Sequence, residues 1–152
     1  MSRFDPATSA TVAFGAGILL LGSLAGCAAI GDEFSQQHRE EFPTYEAAAD
    51  GWVGVGIPDW IPTDAIELRN LATKDESVAV IRVVSDSPLA GDCVEAERTG
   101  IPVLSAEWAD LDWATNGFPD DVARCGVYEV VPTGDGWLGW FNATESGQTP
   151  AG

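Results

Sequence analysis

Few kinds of side chain in this 152-residue chain could do chemistry: three cysteines, one histidine and an abundance of Asp and Glu. Two carboxylates can divide acid and base roles between them, as in glycoside cleavage. Acids cluster at Glu107, Asp110 and Asp112, and again at Asp120 and Asp121. Pairs are unavoidable at this density, however, and a solvated acidic face is the expectation for both clusters, with a calcium-dependent adhesion or stability module as a further option. A calcium loop needs about six to eight ordered oxygens, and the spaced EF-hand pattern is absent from the sequence. His38 stands alone, which leaves a zinc site short of ligands and makes a Ser-His-Asp triad improbable. No C-x-x-C, G-x-S-x-G, Walker or dinucleotide-binding glycine pattern occurs. The expectation is a non-enzymatic domain without metal or cofactor, with a small carboxylate-based hydrolase as the alternative.

Aromatic residues offer recognition rather than catalysis. The six tryptophans are Trp52, Trp60, Trp108, Trp113, Trp137 and Trp140. Exposed indoles stack on sugar rings or grip peptides, although tryptophan in a small domain is mainly core. In the last apolar segment Trp137 and Phe141 alternate with Leu138 and Trp140, so one pair is expected to face away from the core. Trp52, Trp60, Trp137 and Trp140 are therefore candidates for an aromatic binding surface. The echo between Asp50-Gly51-Trp52-Val53-Gly54 and Asp135-Gly136-Trp137-Leu138-Gly139 marks two similar entries from turn to strand. One such echo does not make a repeat architecture.

The N-terminal segment supplies the most specific signal. Arg3 is its one basic side chain, and no charged residue occurs from Pro6 to Gly26. An apolar stretch over residues 12–21 is followed by the small-residue sequence Leu24-Ala25-Gly26-Cys27. A charged start, an apolar centre and small residues before a cut site describe a secretory signal peptide. Leu24-Ala25-Gly26-Cys27 resembles the lipobox of bacterial lipoproteins; that resemblance covers about the first 27 residues, and on its strength the protein looks like the small surface lipoproteins of Gram-positive bacteria whose role is unknown. The resemblance implies that diacylglycerol is attached to the Cys27 sulfur, that residues 1–26 are removed, and that the protein sits on the outer face of the cell membrane. Two or more acyl chains hold a protein stably where one is marginal. The rival reading is an uncleaved helical anchor, and glycines at 15, 17, 22 and 26 count against it.

With Cys27 lipidated, Cys93 and Cys125 remain as an even pair, and outside the cell such thiols oxidise. A Cys93–Cys125 disulfide is therefore expected. The formal net charge of -17 opposes contact with nucleic acid and with anionic headgroups. Expected partners are the membrane, through the lipid, and an envelope protein or glycan.

The elements that must position these groups follow from periodicity. Residues 27–43 read as the lipidated terminus and a polar spacer, 44–144 as one globular domain, and 145–152 as a loose tail. A short helix is expected at 44–50 with Thr44 as its N-cap. Strands are expected at 65–71 and 77–85, the second central because it is apolar on both faces except at Arg82. Further strands are expected at 126–131 and 137–142, joined by a hairpin. Leu104, Trp108 and Leu111 are spaced for a helix over 103–113. Together these give an α+β domain: an antiparallel sheet of about four strands with one or two short helices on one face.

Overall fold

The computed structural model describes residues 36–54, 56–109 and 117–143. The leader, Cys27, most of the expected spacer, Trp113 and the tail lie outside the described residues. The domain is α+β and antiparallel, as expected, but its sheet has seven strands. They are β1 (Gln37–Thr44), β2 (Ile66–Thr73), β3 (Val78–Val84), β4 (Cys93–Glu97), β5 (Asp121–Cys125), β6 (Tyr128–Pro132) and β7 (Gly136–Asn142). Their order is β1-β2-β3-β7-β6-β5-β4, with every neighbour antiparallel. Two meanders, β1–β3 and β4–β7, therefore meet along one seam, the β3–β7 ladder from Val78↔Asn142 to Val84↔Gly136. Arg82 clasps that seam by donating to both carboxylate oxygens of Asp135 at 2.8 and 2.9 Å.

The expected spacer contributes the edge strand β1, across residues 37–44. Its polar sequence, Gln-His-Arg-Glu-Glu-Phe-Pro-Thr, suits an edge: charges there discourage further pairing, and Pro43 is tolerated where a strand has a free side. The helix α1 (Tyr45–Gly51) follows directly. Thr44 caps it, its Oγ1 accepting the Ala47 N–H at 3.2 Å. Ala48 is the helix's buried residue.

β3, rich in β-branched residues, is buried on both faces, as its pattern predicts. The neighbouring β6 and β7 are largely buried too, whereas the edge strands β1 and β4 are not. Leu68, Ile81, Val130 and Phe141 point to a front face covered by α1 and by Trp60 and Ile61 of the β1–β2 connection. Leu71, Val80, Val131 and Leu138 point to a back face covered by Ala106, Ala109, Leu104, Trp108 and Phe118. The back cover is a strap, not the helix expected over residues 103–113. Its described part holds a single 3-10 turn, Glu107–Ala109, and the rest of the expected helix lies outside the described residues. Both ends of the strap are fastened. The Arg98 N–H donates to the Asp120 carbonyl at 2.8 Å, and the Arg98 Nε–H donates to the Pro119 carbonyl at 2.9 Å. The buried Glu129 carboxylate accepts the amide N–H groups of Thr99 and Gly100, the Thr99 hydroxyl and an Arg124 N–H.

Candidate functional site

The front cover does not reach across the whole sheet. Over β4, β5 and β6 it leaves two concavities, and the disulfide borders both. Cys93 and Cys125 are direct cross-strand partners, bonded with their Cα atoms 4.3 Å apart. The bond locks β4 to β5. Gly126, with φ of 62°, makes the tight turn that brings Tyr128 opposite Cys125.

The larger concavity is a cleft of about 590 Å³ lined by Trp60, Tyr128, Pro58, Asp59, Asp92 and Cys125, among others. Its walls are two loops tied together, the Ala90 N–H donating to the Trp60 carbonyl at 3.0 Å. Gly91, with φ of 67°, lies against the Asp59 backbone, where a Cβ would come within 3.2 Å of the carbonyl oxygen. Trp60 packs against Gly139 of β7 and tilts against Tyr128 at 6.0 Å between ring centroids. Burial, and secondarily the negative charge of Glu76, push the Tyr128 phenol above its ordinary ionisation range. The Tyr128 hydroxyl is therefore a neutral donor and acceptor at any physiological pH.

The smaller concavity is a groove of about 250 Å³. Glu95, Ala123 and Val130 stand in one row of the sheet and form its floor, with Asp121, Pro132 and Trp137 beside them. Trp137 is held in place by its indole N–H, which donates to the Ser87 carbonyl at 3.0 Å.

Of the four expected surface indoles, Trp60 and Trp137 border these concavities and the other two do not. Trp140 is 2 % exposed on the back face, edge-on to Phe118. Trp60 is equally buried, so it contributes a wall and not a protruding ring. Trp52 stacks on Phe42 at 5.8 Å, at the side of the sheet where β1 runs. The expectation that one face of β7 points away from the core fails because both faces are covered. Sequence reading missed Tyr128, Asp59, Asp92 and Glu95; none carries a motif, and only the strand register gathers them.

His38 is in β1 and not in a tether. Its Nε2 lies within hydrogen-bond reach of Glu76 Oε1, at 2.7 Å. Nδ1 is 3.8 Å from Glu40 Oε2. Glu40 in turn accepts the Val53 N–H and an Asn70 amide N–H, both at 2.8 Å. This cluster fastens β1, the β2–β3 turn and the chain leaving α1. Among the described residues, no group of three or more His, Cys, Asp or Glu is placed to hold a metal ion. None of the described helices is long and apolar enough to cross a membrane. No family model, curated protein or solved structure matches this chain.

Proposed function

We propose that this chain is an extracytoplasmic bacterial lipoprotein. Diacylglycerol on Cys27 holds it to the membrane, and its domain is a non-enzymatic binding module of the cell envelope, engaging an envelope protein or glycan. The reading of address rests on Leu24-Ala25-Gly26-Cys27 and on the oxidised Cys93–Cys125 pair, which belongs to an oxidising compartment. The reading of role rests on one observation: the front face over β4–β6 is left uncovered, with aromatic walls and carboxylates beside a covalently locked floor. Concave sites where aromatic and polar groups converge are where ligands are held.

The address is tested by Cys27→Ala, which is expected to abolish acyl labelling and leave the precursor uncut; labelling that persists overturns it. The role is tested by a photo-crosslinking residue at Val127 or Trp137 in intact cells. Adducts specific to those positions, and absent from the same probe at the exposed Asp50, are expected. Equal labelling from all three sites overturns the assignment of the working face.

A second reading has one observation in its favour, since Asp59 and Asp92 share a cleft with Trp60. A carboxylate hydrolase needs such a pair. Turnover of a chromogenic glycoside, lost on Asp59→Asn and on Asp92→Asn, is the result that reading requires.

A further inference from the structure

We infer that the free edge of β4 receives an extended segment of a basic partner protein, added to the sheet as an eighth strand with Lys or Arg at alternate positions. The inference rests on the binding-module reading above and names the partner's chemistry.

Backbone geometry comes first. In an antiparallel ladder, directly opposed residues alternate between pairs that exchange hydrogen bonds and pairs that do not, and the latter have closer Cα atoms, about 4.5 Å apart. Cys93 and Cys125, at 4.3 Å, are of the second kind. The Arg98 N–H donates to the Asp120 carbonyl, which puts the even-numbered residues of this ladder in the bonded pairs. Glu95 is therefore turned the other way, and its N–H and C=O point out of the sheet on the side where, among the described residues, no further strand pairs. This is the donor and acceptor pair that an incoming strand uses in β-augmentation. The disulfide holds β4 in place without help from that side.

Side-chain chemistry then selects the occupant. On the front face the edge presents Glu95 and Glu97, with Asp121 directly across from Glu97. On the back face it presents Val94, 63 % exposed, and Ala96. An added strand alternates its side chains in the same way. Its front residues meet carboxylates and its back residues meet Val94 and Ala96, so the complementary pattern is basic–apolar–basic. The groove running inward from Glu95 over Ala123 and Val130 accepts the aliphatic stem of a front-face lysine. The same carboxylates, on a chain of net charge -17, oppose pairing of β4 with a second copy of itself.

The test uses the full chain in non-ionic detergent and a blocked peptide, Thr-Lys-Val-Lys-Val-Lys-Thr, with binding followed by calorimetry. Two control peptides have the same composition: one with its lysines in a single block, the other alternating but N-methylated on its central residue. Expected are saturable binding of the alternating peptide and new protection of the Glu95 amide from hydrogen exchange. Glu95→Gln is expected to weaken binding about threefold, the scale of one exposed ion pair. N-methylation is expected to weaken it about fivefold, the scale of one hydrogen bond. Glu95→Pro removes the outward N–H and leaves the β4–β5 ladder intact, and it is expected to match the effect of N-methylation. Should that variant fail to fold, the methylated peptide alone decides the point. Equal binding of all three peptides reduces the effect to diffuse attraction of cations and overturns the inference. So does an alternating peptide that does not bind. If site-specific crosslinks in cells persist alongside that failure, the binding-module reading stands and only the partner's chemistry is wrong.

Discussion

Glu129 shows how one buried side chain can hold a whole layer. It is 6 % exposed on the back face, and Thr99, Gly100 and Arg124 all donate to it. Burial pushes its carboxyl up, but the Thr99 and Gly100 hydrogen bonds and the Arg124 guanidinium outweigh this, and the net shift is below the ordinary value of 4.5. A carboxyl depressed in the folded state stabilises fully above the ordinary value, and that stabilisation is lost as pH falls through the folded one. Protection of the Thr99 and Gly100 amides, taken relative to their intrinsic exchange rates, is therefore expected to fall as pH drops below the ordinary carboxylate value, ahead of the central strands. In Glu129→Gln one oxygen becomes an NH₂ facing a donor, and a loss of about 2 kcal/mol is expected in denaturant titrations. Gly139 makes a converse case, because a Cβ there would come within 2.5 Å of Trp60 Cζ2. Gly139→Ala is expected to destabilise by about 1–3 kcal/mol through overpacking, with a changed Trp60 fluorescence signal. At this scale the disulfide partners were legible, since setting Cys27 aside leaves one pair. The burial of Trp140 was not, because alternation along a strand says which residues share a face and not whether that face is covered; that of Trp60 was not because a loop carries no periodicity to place it.

Elements were legible in proportion to their burial. β3 and β7, apolar and central, could be read from composition, and the Thr44 cap announced α1. β1, β4 and β5 could not: Arg39, Glu40, Glu41, Glu95, Glu97 and Arg124 break up their apolar patterns. Edge strands carry such charges because a free edge that lacks them aggregates. The cleft and groove lie over β4–β6, where two of the strands were missed, so the site could not be assembled before the register was known. The strap over 98–109 misled for another reason: helical spacing of apolar residues also suits an extended cover tied down at intervals. For β4, whose sheet pairing among the described residues is to β5 alone, the disulfide is the decisive restraint. Cys93→Ser with Cys125→Ser is expected to cost roughly 3–4 kcal/mol, the chain-entropy value for a loop of this size. Amide exchange is expected to rise first at Val94 and Ala96, whose N–H groups point into the β4–β5 ladder.

For the molecule as a whole, charge and connectivity matter most. A net charge of -17 on 152 residues opposes compaction by self-repulsion. Salt screens exposed charges over about 8–10 Å at physiological strength. The melting temperature is therefore expected to rise between low-salt buffer and about 0.15 M sodium chloride; a flat or falling profile would show that the acids are already compensated.

The β3–β7 seam joins residues whose codons lie far apart in the message. A chain emerging from its N-terminus completes β3 at Val84, but Gly136–Asn142, which must cover that strand, are among the last described residues to be made. At about 5–20 residues per second, the sequence Val-Ala-Val-Ile-Arg-Val-Val waits several seconds with one side bare. A nascent fragment ending near residue 90 is thus expected to be sticky and to depend on a holding chaperone, whereas the finished polypeptide is not.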